Sequence, residues 1–312
     1  MTWYRGFEKI VSEHRALASL TTYRVGGEAE FFAEPHHEEM LGALLARARA
    51  ENIPVRVLGH GANLLVSDAG VRGLVIRLPR LSFGERTQQD GTRVHVGAGC
   101  GLGGLVRWSA AQGLTGLECL SGIPGTVGAA LRMNAGGRYG EIGERVVSVQ
   151  GCGLDGTPFS FPAGECGFGY RRSLLKDRIV TGCELRLLPG PPAEIQRFLR
   201  AIIEEKRRSQ PLEARSAGCV FKNPKLPGVP SAGKLIDEAG LKGSRVGGAL
   251  VSPVHANFVV CEGRACAGDV ARLIGLMRER VYATSGVRLE MEVEAWGFTP
   301  GELSPSEGLN AA

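Results

Sequence analysis

The sequence predicts a mixed α/β (α+β) protein with more than one domain. Its 312 residues exceed the usual size of a single domain and can bury a large core. Short apolar runs alternate with a helical repeat in the first quarter of the chain, which is typical of a βαβ-like unit. Amphipathic helices follow over residues 192–208 and towards residue 285. We therefore expect a larger N-terminal part followed by a smaller C-terminal α+β domain.

The individual elements are predicted from apolar periodicity and turn residues. The predicted strands cover residues 30–33, 55–58, 74–78, 93–96, 146–150, 157–161, 179–187 and 288–294. The predicted helices cover residues 36–51, 192–208, 232–239 and a segment ending near residue 285. The helix over residues 36–51 places Met40, Leu41, Leu44, Leu45 and Ala48 on one side. The second helix places Ile195, Phe198, Leu199, Ile202 and Ile203 on one face. The helix that ends near residue 285 has a predicted buried stripe of Val270, Leu273, Ile274, Met277 and Val281. Pro124 is predicted to open a further helix, because proline is favoured in the first helical turn.

Composition and charge narrow the possible classes of function. The net charge of +5 is too small to indicate nucleic-acid binding and fits an anionic small molecule. Residues 1–20 lack the apolar core of a signal peptide, and no apolar run reaches the roughly 20 residues that cross a bilayer. We therefore expect a cytoplasmic protein that binds neither nucleic acid nor membrane.

The chain contains eight cysteines and six histidines. No CxxC pair occurs and the histidines show no metal-ligand spacing, so we predict no metal site. Disulfides are typical of small secreted chains, which this chain does not resemble. Cys219, in the segment SAGCVFKNP, has two interpretations from these residues alone: a small core residue, or a proton-transfer group.

Residues 99–104, GCGLGG, match the G-x-G-x-x-G fingerprint of dinucleotide-binding proteins. Glu118 even follows at about the distance of a ribose-binding acid. No clear strand precedes Glu118, however, so a tight strand-to-helix turn is favoured over a nicotinamide Rossmann site.

Residues 228–234, GVPSAGK, match a P-loop up to its lysine. Leu235 stands where the motif needs Ser or Thr, and Pro230 removes one backbone N–H donor. We predict instead a loop in which Ser231 caps the helix over residues 232–239.

Two other glycine-rich segments are better suited to anions. Residues 58–66, LGHGANLLV, place two glycines and an asparagine between predicted strands, which leaves backbone N–H groups open to a pyrophosphate. Residues 122–137, GIPGTVGAALRMNAGG, combine bare glycine backbone with the helix start predicted at Pro124, and a helix N-terminus favours anions. Together they suggest a single large dinucleotide.

Six motifs occur in order over roughly residues 20–297. They are LGHGANLLVSDAGVRGLVIRL, GLECLSGIPGTVGAALRMNAGG, FGYRRS, SAGCVFKNP, AGKLIDEAGLKGSRVGGALVSPVHANFVV and LEMEVEAWG. In this order they resemble the UDP-N-acetylenolpyruvoylglucosamine reductases of peptidoglycan precursor synthesis. The segment after Arg171 passes directly into the next predicted strand, which resembles the compact variant of that family.

The resemblance implies a fold, a cofactor and a reaction. It implies non-covalent FAD in a two-part domain of the vanillyl-alcohol-oxidase type, with a separate substrate-binding domain. NADPH would reduce FAD, and hydride would then pass to the terminal carbon of the substrate's enolpyruvyl double bond to give UDP-N-acetylmuramate. We expect a monomer whose partners are these small molecules. The implied limits are residues 15–79 with return strand 287–298 for the first FAD-binding subdomain, 80–208 for the second, 212–285 for the substrate domain and 299–312 for a mobile tail.

The resemblance also implies the site residues. Those implied for FAD are Gly59, His60, Gly61, Ala62, Asn63, Leu64, Gly122, Ile123, Pro124, Gly125, Thr126, Gly128, Ala129 and Ile179. Those implied for substrate are Tyr170, Lys222, Asn223 and Asn257. Arg171, Cys219 and Glu292 would be catalytic.

The chemistry of the implied reaction explains the three catalytic residue types. Hydride addition builds negative charge on the α-carbon and its carboxylate, and Arg171 is a permanent cation with a fork suited to a carboxylate. Glu292 would help if it were protonated in a desolvated site. Cys219 could protonate the α-carbon. From residue type alone, a surface charge at Arg171 or Arg172 and one of three alternating strand acids at Glu292 are favoured over catalytic roles.

The chain departs from the family pattern at two positions. The family usually has Ser at the positions of Cys219 and Ala62. A thiol has a pKa far below that of an alcohol, so Cys219 preserves the proton-donor role and this interpretation is favoured. Two alternatives remain open: a related FAD oxidoreductase with another small substrate, and a non-catalytic flavin- or nucleotide-binding protein.

Overall fold

The computed structural model describes residues 2–299 and 301–303. Its α-helices are α1 Glu38–Ala50, α2 Arg80–Phe83, α3 Leu102–Ala111, α4 Val127–Met133, α5 Pro192–Ser209, α6 Ala232–Glu238 and α7 Ala267–Ser285. Its strands are β1 Val11–Ala16, β2 Glu28–Ala33, β3 Val55–Val57, β4 Leu64–Val66, β5 Val71–Ile76, β6 Arg86–Asp90, β7 Arg93–Gly97, β8 Leu114–Thr115, β9 Gly136–Gly137, β10 Gly140–Glu141, β11 Val146–Gly153, β12 Pro158–Pro162, β13 Arg178–Arg186, β14 Leu188–Pro189, β15 Arg245–Val246, β16 Ala249–Val251, β17 Val259–Cys261 and β18 Glu294–Trp296. The mixed α+β class is confirmed.

Packing divides the chain into two compact units, and each unit is discontinuous in sequence. The first comprises Met1–Glu13, Phe31–His60 and Gly73–Lys206. The second comprises His14–Glu30, Gly61–Arg72 and Arg207–Ala312. The domain limits that the resemblance implies concern cofactor and substrate binding, and they remain a prediction.

The first unit contains a five-stranded antiparallel sheet of order β12-β11-β13-β7-β6. Helices α3 and α4 bury Leu102, Leu105, Val127 and Leu131 in the same core as strand residues such as Val96. A second cluster in this unit packs α1 with Cys152 and Ile179 of the sheet. On the side predicted for α1, Leu41, Leu44, Leu45 and Ala48 are buried, whereas Met40 is only half-buried.

The second unit has its own core around α7 and the antiparallel sheet β15-β16-β17. The predicted stripe of α7 is confirmed, because Val270, Leu273, Ile274, Met277 and Val281 are buried. Residues from far upstream complete this core, namely Tyr23, Val25 and Leu65. The short strand β4 pairs in parallel with β18 near the C-terminus.

The remaining larger sheet has the order β1-β2-β5-β3, and β3 and β5 are parallel. Together with α1 these strands form the βαβ-like unit that the sequence predicts. Strand β5 begins at Val71 rather than at residue 74 and ends before Leu78. Gly73 lies inside it with a φ of +88°, where a Cβ would fall 2.4 Å from the Pro54 carbonyl oxygen.

The predicted strand over residues 288–294 is wrong, since only Glu294–Trp296 is a strand. Residues 221 and 291 form an isolated antiparallel bridge, with Lys222 N donating to Glu290 O and Glu292 N donating to Val220 O. The ladder does not extend from there, because Val220 N donates to Asn257 O rather than to Glu292 O, and Glu292 O accepts from the Asn63 side chain. Residues 288–293, despite their alternating sequence, are therefore not a regular strand, and their pairing with residues 220–222 is confined to these contacts.

Phe198 of the predicted apolar face of α5 is also an exception. It is exposed and packs edge-on against Tyr139, with ring centroids 5.6 Å apart. Ile195 and Ile202 of the same face are buried as predicted.

The two segments that match nucleotide-binding motifs, residues 99–104 and 228–234, have local structural roles. Residues 99–104 form the turn from β7 into α3, as predicted, and the Glu118 carboxylate accepts from the Thr115 hydroxyl and the Gly116 N–H at 2.6 and 2.7 Å. Ser231 is confirmed as the N-cap of α6, because its hydroxyl accepts from Lys234 N at 3.3 Å.

The predicted mobile tail lies largely outside the described residues. Of its described part, Thr299 donates through its N–H and hydroxyl to the Glu302 carboxylate, and Arg278 donates to Leu303 O at 2.9 Å. Among the described helices, none is both long and apolar enough to cross a membrane.

Candidate active site

Residues 59–63 form a loop between β3 and β4 whose backbone donors are open. Leu58 N, just before the loop, donates to Ile76 O at 2.8 Å. None of the five following N–H groups donates to an acceptor within the described part of the chain. Gly61 has a φ of +60°, and a Cβ there would lie 2.4 Å from Leu20 O, so this turn requires glycine. Successive open N–H groups are the donors that a pyrophosphate needs.

The second predicted anion segment differs from its prediction. Helix α4 begins at Val127 and not at Pro124, because Gly125 has a φ of +155° that a helix cannot contain. Thr126 caps the helix, and its hydroxyl accepts from Ala129 N at 3.4 Å.

The first N–H groups of α4 are used within the protein. Val127 N donates to Cys100 O and Gly128 N to Ala98 O, both at 2.9 Å. The helix start therefore supplies no anion site. The donors that remain open in this segment, among the described residues, are the N–H groups of Gly122, Gly125 and Thr126.

Within the first unit, Gly59 lies against the start of α4 in the second segment. A Cβ on Gly59 would lie 2.9 Å from the Thr126 hydroxyl oxygen and 3.2 Å from Ala129 Cβ. Bare backbone at Gly59 thus allows the first loop to lie directly against the start of α4. Ile179, also predicted for FAD, has its side chain fully buried in the cluster around α1.

Ser121, Thr181 and Lys206 lie near these segments and were not predicted. Lys206 donates to the Ser121 carbonyl, and its Cδ would lie 3.1 Å from a Cβ on Gly122. Burial lowers the pKa of the Lys206 ammonium, and the nearby Arg171 guanidinium lowers it further. The hydroxyls of Ser121 and Thr181 are buried and find no hydrogen-bond partner among the described residues. Such hydroxyls are compatible with a ligand that completes them. Ser121 lies inside one of the six motifs without being singled out, and none of those motifs contains Thr181 or Lys206.

Arg171 lies at the tip of a tight hairpin. Gly169 and Arg172 exchange both backbone hydrogen bonds, at 3.1 and 3.0 Å, so Tyr170 and Arg171 form a two-residue turn. Arg171 has a φ of +54°, a left-handed conformation that costs a non-glycine residue about 1–2 kcal/mol. Its guanidinium donates to Gly136 O at 2.8 Å and lies 5.7 Å from the Tyr170 ring centroid.

Asn134 fastens this hairpin to the end of α4. It is the C-cap of the helix, with a φ of +45°, and it is almost completely buried. Its amide nitrogen donates to Gly169 O at 3.2 Å and to the Glu141 carboxylate, and its amide oxygen accepts from Gly143 N at 3.0 Å. The position of Arg171 therefore depends on a buried asparagine that the sequence analysis did not single out.

Cys219 and Glu292 occur on neighbouring backbone segments of the second unit. Cys219 is half-buried and forms an isolated bridge with Phe258. The next residue, Val220, accepts from Glu292 N at 2.8 Å and donates to Asn257 O at 2.8 Å. The structure thus brings the predicted proton donor within one residue of the backbone partner of the predicted acid.

The three predicted substrate residues of this unit, Lys222, Asn223 and Asn257, form hydrogen bonds or ion pairs with other residues of the unit. The Asn257 amide accepts from Phe221 N at 3.0 Å and donates to Phe221 O at 2.8 Å, and it is 2 % exposed. Lys222 pairs with Glu290, and the Asn223 amide oxygen accepts from Ala232 N at 3.0 Å. Asn257 therefore anchors the segment that carries Cys219.

Comparison with known proteins assigns the family. Residues 210–296 match the profile of the UDP-N-acetylenolpyruvoylglucosamine reductase C-terminal domain, and residues 29–160 match an FAD binding domain. A UDP-N-acetylenolpyruvoylglucosamine reductase of Synechococcus sp. (strain JA-3-3Ab) is 46 % identical over 286 residues, which cover 90 % of this chain and 89 % of the relative. The chain belongs to the UDP-N-acetylenolpyruvoylglucosamine reductase family. A reductase of Anaeromyxobacter dehalogenans (strain 2CP-C) is 44 % identical over 99 % of this chain and 94 % of its own.

A solved member of the reductase family shares the fold. The crystal structure of the reductase from Thermus caldophilus superimposes with a TM-score of 0.77 at 44 % identity, covering 91 % of this chain and 98 % of that chain. The FAD binding domain match includes both glycine-rich segments. Open N–H donors in residues 59–63, bare backbone at Gly59 and buried hydroxyls without partners all fit that cofactor.

Burial separates Cys219 from most cysteines of this reductase-family chain. All eight cysteines lie in the described part of the chain, and none of them forms a disulfide. Burial raises the pKa of the Cys119, Cys152 and Cys261 thiols to about 11. Only Cys219 and Cys266 are not buried, and Cys266 is the N-cap of α7.

Proposed function

We propose that this chain catalyses the NADPH-driven reduction of UDP-N-acetylenolpyruvoylglucosamine to UDP-N-acetylmuramate. The observation that carries the proposal is the backbone hydrogen bond from Glu292 to Val220, the residue after Cys219, which sets the segments that carry Glu292 and Cys219 side by side inside the region that matches the reductase C-terminal domain. FAD, when bound, supplies hydride transfer from NADPH to the substrate. Residues 59–63 and 122–129 line the cofactor in this proposal, and the donors are the open N–H groups of residues 59–63, Gly122, Gly125 and Thr126.

Arg171 binds the substrate carboxylate in this proposal. Hydride addition to the terminal carbon of the enolpyruvyl group moves negative charge onto the α-carbon and its carboxylate. A guanidinium is a permanent cation whose donors match a carboxylate, so its attraction grows as this charge develops. The left-handed turn and the bond to Gly136 O hold Arg171 in place before the charge appears.

Cys219 protonates the α-carbon, which completes the reduction. The Cys219 thiol gives up its proton to the carbon, and the thiolate is reprotonated from solvent. Glu292, as a protonated carboxyl, donates a hydrogen bond that stabilises the negative charge on the α-carbon and its carboxylate. An ionised Glu292 would repel that charge. Tyr170, Lys222, Asn223 and Asn257 position the substrate or the segments around it. Monomeric state and cytoplasmic location are further parts of the proposal.

Stopped-flow spectroscopy of the two half-reactions tests the proposal. The purified protein should be yellow, NADPH should bleach the flavin, and UDP-N-acetylenolpyruvoylglucosamine should restore its colour with formation of UDP-N-acetylmuramate. A colourless protein would contradict FAD binding. Flavin that NADPH bleaches but this substrate does not reoxidise would indicate an oxidoreductase for another small molecule.

A further inference from the structure

Asn63, the last residue of the open loop, makes two contacts with the segment that carries Glu292. Its side-chain nitrogen Nδ2 donates to the Glu292 carbonyl oxygen at 3.0 Å. Its own carbonyl oxygen accepts from Glu294 N, also at 3.0 Å. Both residues belong to the second unit, where β4 and β18 continue the pairing in parallel from Leu64 and Glu294 onwards.

The side-chain bond replaces a backbone bond that the strand pairing would otherwise form. In a parallel ladder with Leu64 opposite Glu294, the next bond joins the N–H of residue 63 to the carbonyl of residue 292. Here the Asn63 amide takes that position. The backbone N–H of Asn63 donates to no acceptor in the described part of the chain and stays with the other open donors of the loop.

Glu292 is consequently held on both sides of its backbone. Its N–H donates to Val220 O at 2.8 Å, and its carbonyl accepts from Asn63. Val220 directly follows Cys219. Two hydrogen bonds therefore link Asn63 through Glu292 to Val220, the residue next to Cys219.

We propose that Asn63 is a positioning residue for Glu292, and that its side-chain amide has this role while its backbone N–H stays among the open donors of the loop. The proposal rests on the proposed function, because Glu292 matters only in the reaction with the enolpyruvyl substrate. It predicts that loss of the amide donor affects the second half-reaction and spares the first. A displacement of about 1 Å can cost about 100-fold in rate.

Asn63→Ala tests this in the holoenzyme. We expect reduction of the flavin by NADPH to stay within about threefold of the unsubstituted enzyme, because the backbone donors of the loop remain. Reoxidation by the enolpyruvyl substrate should slow about 10- to 100-fold. Equal slowing of both half-reactions, or FAD loss without selective slowing of reoxidation, would overturn the proposal in favour of a cofactor-binding role.

A double-substitution cycle separates positioning from an independent effect. Asn63→Ala combined with Glu292→Gln should be little slower in reoxidation than Glu292→Gln alone, since the amide then has no catalytic carboxyl to position. Multiplicative effects would show that Asn63 does not act through Glu292.

The pH dependence of reoxidation in Asn63→Asp tests the donor role, because a purely structural role would not change it. This variant also replaces Asn63→Ala if the alanine variant does not fold. The new carboxyl has the shape of the amide but donates a hydrogen bond only when protonated. Slow reoxidation in this variant should therefore recover as the pH falls, relative to the unsubstituted enzyme at each pH. A constant ratio across pH would contradict the proposed donor role.

Thr22→Val is the matched control. The Thr22 hydroxyl donates to Gly61 O at 3.3 Å, so this variant also removes a side-chain bond to the loop, but not one to Glu292. Its ratio of the two half-reaction rates should stay unchanged, and a selective loss of reoxidation here would assign the effect to the loop in general. If the unsubstituted enzyme fails either half-reaction, the proposed function fails, and that outcome is distinct from a failure of the Asn63 proposal.

Discussion

At the scale of single residues, Cys219 combines partial exposure with a position beside the backbone partner of Glu292. If it is the proton donor, Cys219→Ala should slow reoxidation by the substrate by about 10²–10⁴-fold, the usual contribution of general acid catalysis. Cys219→Ser should retain substantial activity, because a hydroxyl can deliver a proton from the same place. Flavin reduction by NADPH should survive in both variants, and stopped-flow traces would show this.

Alkylation gives a second view of the same thiol. Iodoacetamide should inactivate the unsubstituted enzyme, bound substrate should protect it, and Cys219→Ser should resist. Cys266→Ser is the control, since Cys266 is the other thiol that is not buried. Near-normal reoxidation by Cys219→Ala would return Cys219 to the role of a small core residue.

His255 predicts a pH dependence of stability. Burial lowers the pKa of its imidazole, and its Nδ1 accepts from Asn257 N at 3.2 Å, which only the form without a proton on Nδ1 can do. The unfolded chain therefore takes up this proton at a higher pH than the folded chain. Stability is lost as the pH falls below the usual histidine value of about 6.5, until the lowered pKa is reached.

His255→Asn should make that loss smaller, because an amide oxygen can accept the same hydrogen bond without titrating. The difference between the two free energies of unfolding should change by at most about 1.4 kcal/mol per pH unit, the effect of one bound proton. Denaturant titrations from pH 8 to pH 5 would measure it. Parallel curves for both proteins would show that His255 does not contribute.

At the scale of elements, the hairpin that carries Arg171 depends on the cap of α4. Asn134→Gly keeps the left-handed backbone and removes the buried bonds to Gly143 and Gly169. We expect a loss of about 1–3 kcal/mol in the free energy of unfolding, from unsatisfied buried groups. The KM for the enolpyruvyl substrate should also rise, because Arg171 is less well placed.

The control for this variant is Gly91→Ala, at a position in the same unit where no atom lies within 4 Å of the new Cβ. Denaturant unfolding and steady-state kinetics would compare the two. Unchanged KM in a destabilised Asn134→Gly enzyme would separate the cap from the placement of Arg171.

Helices were predicted well from the sequence because their apolar repeat directly reports one buried face. The repeat of α7 predicts every residue of its stripe, and the Ser231 cap follows from residue type. The segment before α4 could not be predicted in this way, since the φ of Gly125 delays the helix and no apolar pattern records it. Alternation over residues 288–294 was misleading because the residues that take up its pairing positions, Asn63 and Asn257, are distant in sequence.

The residues of the candidate site also fall into two groups, those that sequence motifs indicate and those that only packing reveals. Motifs singled out residues 59–63, Arg171 and Cys219, and their functional roles remain predictions. The structure adds the open backbone donors of residues 59–63, the tight turn at Arg171 and the partial exposure of Cys219. Ser121 and Lys206 were missed because a hydroxyl without a partner and a desolvated ammonium are properties of packing, which residue type does not reveal.

At the scale of the whole molecule, the second unit is assembled from three separate stretches of chain. A fragment covering residues 207–303 lacks Tyr23, Val25 and Leu65 of its core and the β4 partner of β18. We expect this fragment to lack fixed tertiary structure, with a weak near-ultraviolet circular dichroism signal and no cooperative unfolding. A sharp thermal transition comparable to that of the intact chain would contradict this expectation.

The pairing of β4 with β18 also has a consequence during synthesis. Leu65 can pair with Ala295, its partner in the ladder, only after Ala295 has been synthesised. Because ribosomes add about 5–20 residues per second, the interval between the two residues is on the order of 10–50 s. For that time the apolar side chains of Tyr23 and Leu65 have emerged from the ribosome without the core that later buries them. We therefore expect the nascent chain to expose this apolar surface to chaperones until the segment around Ala295 has been synthesised.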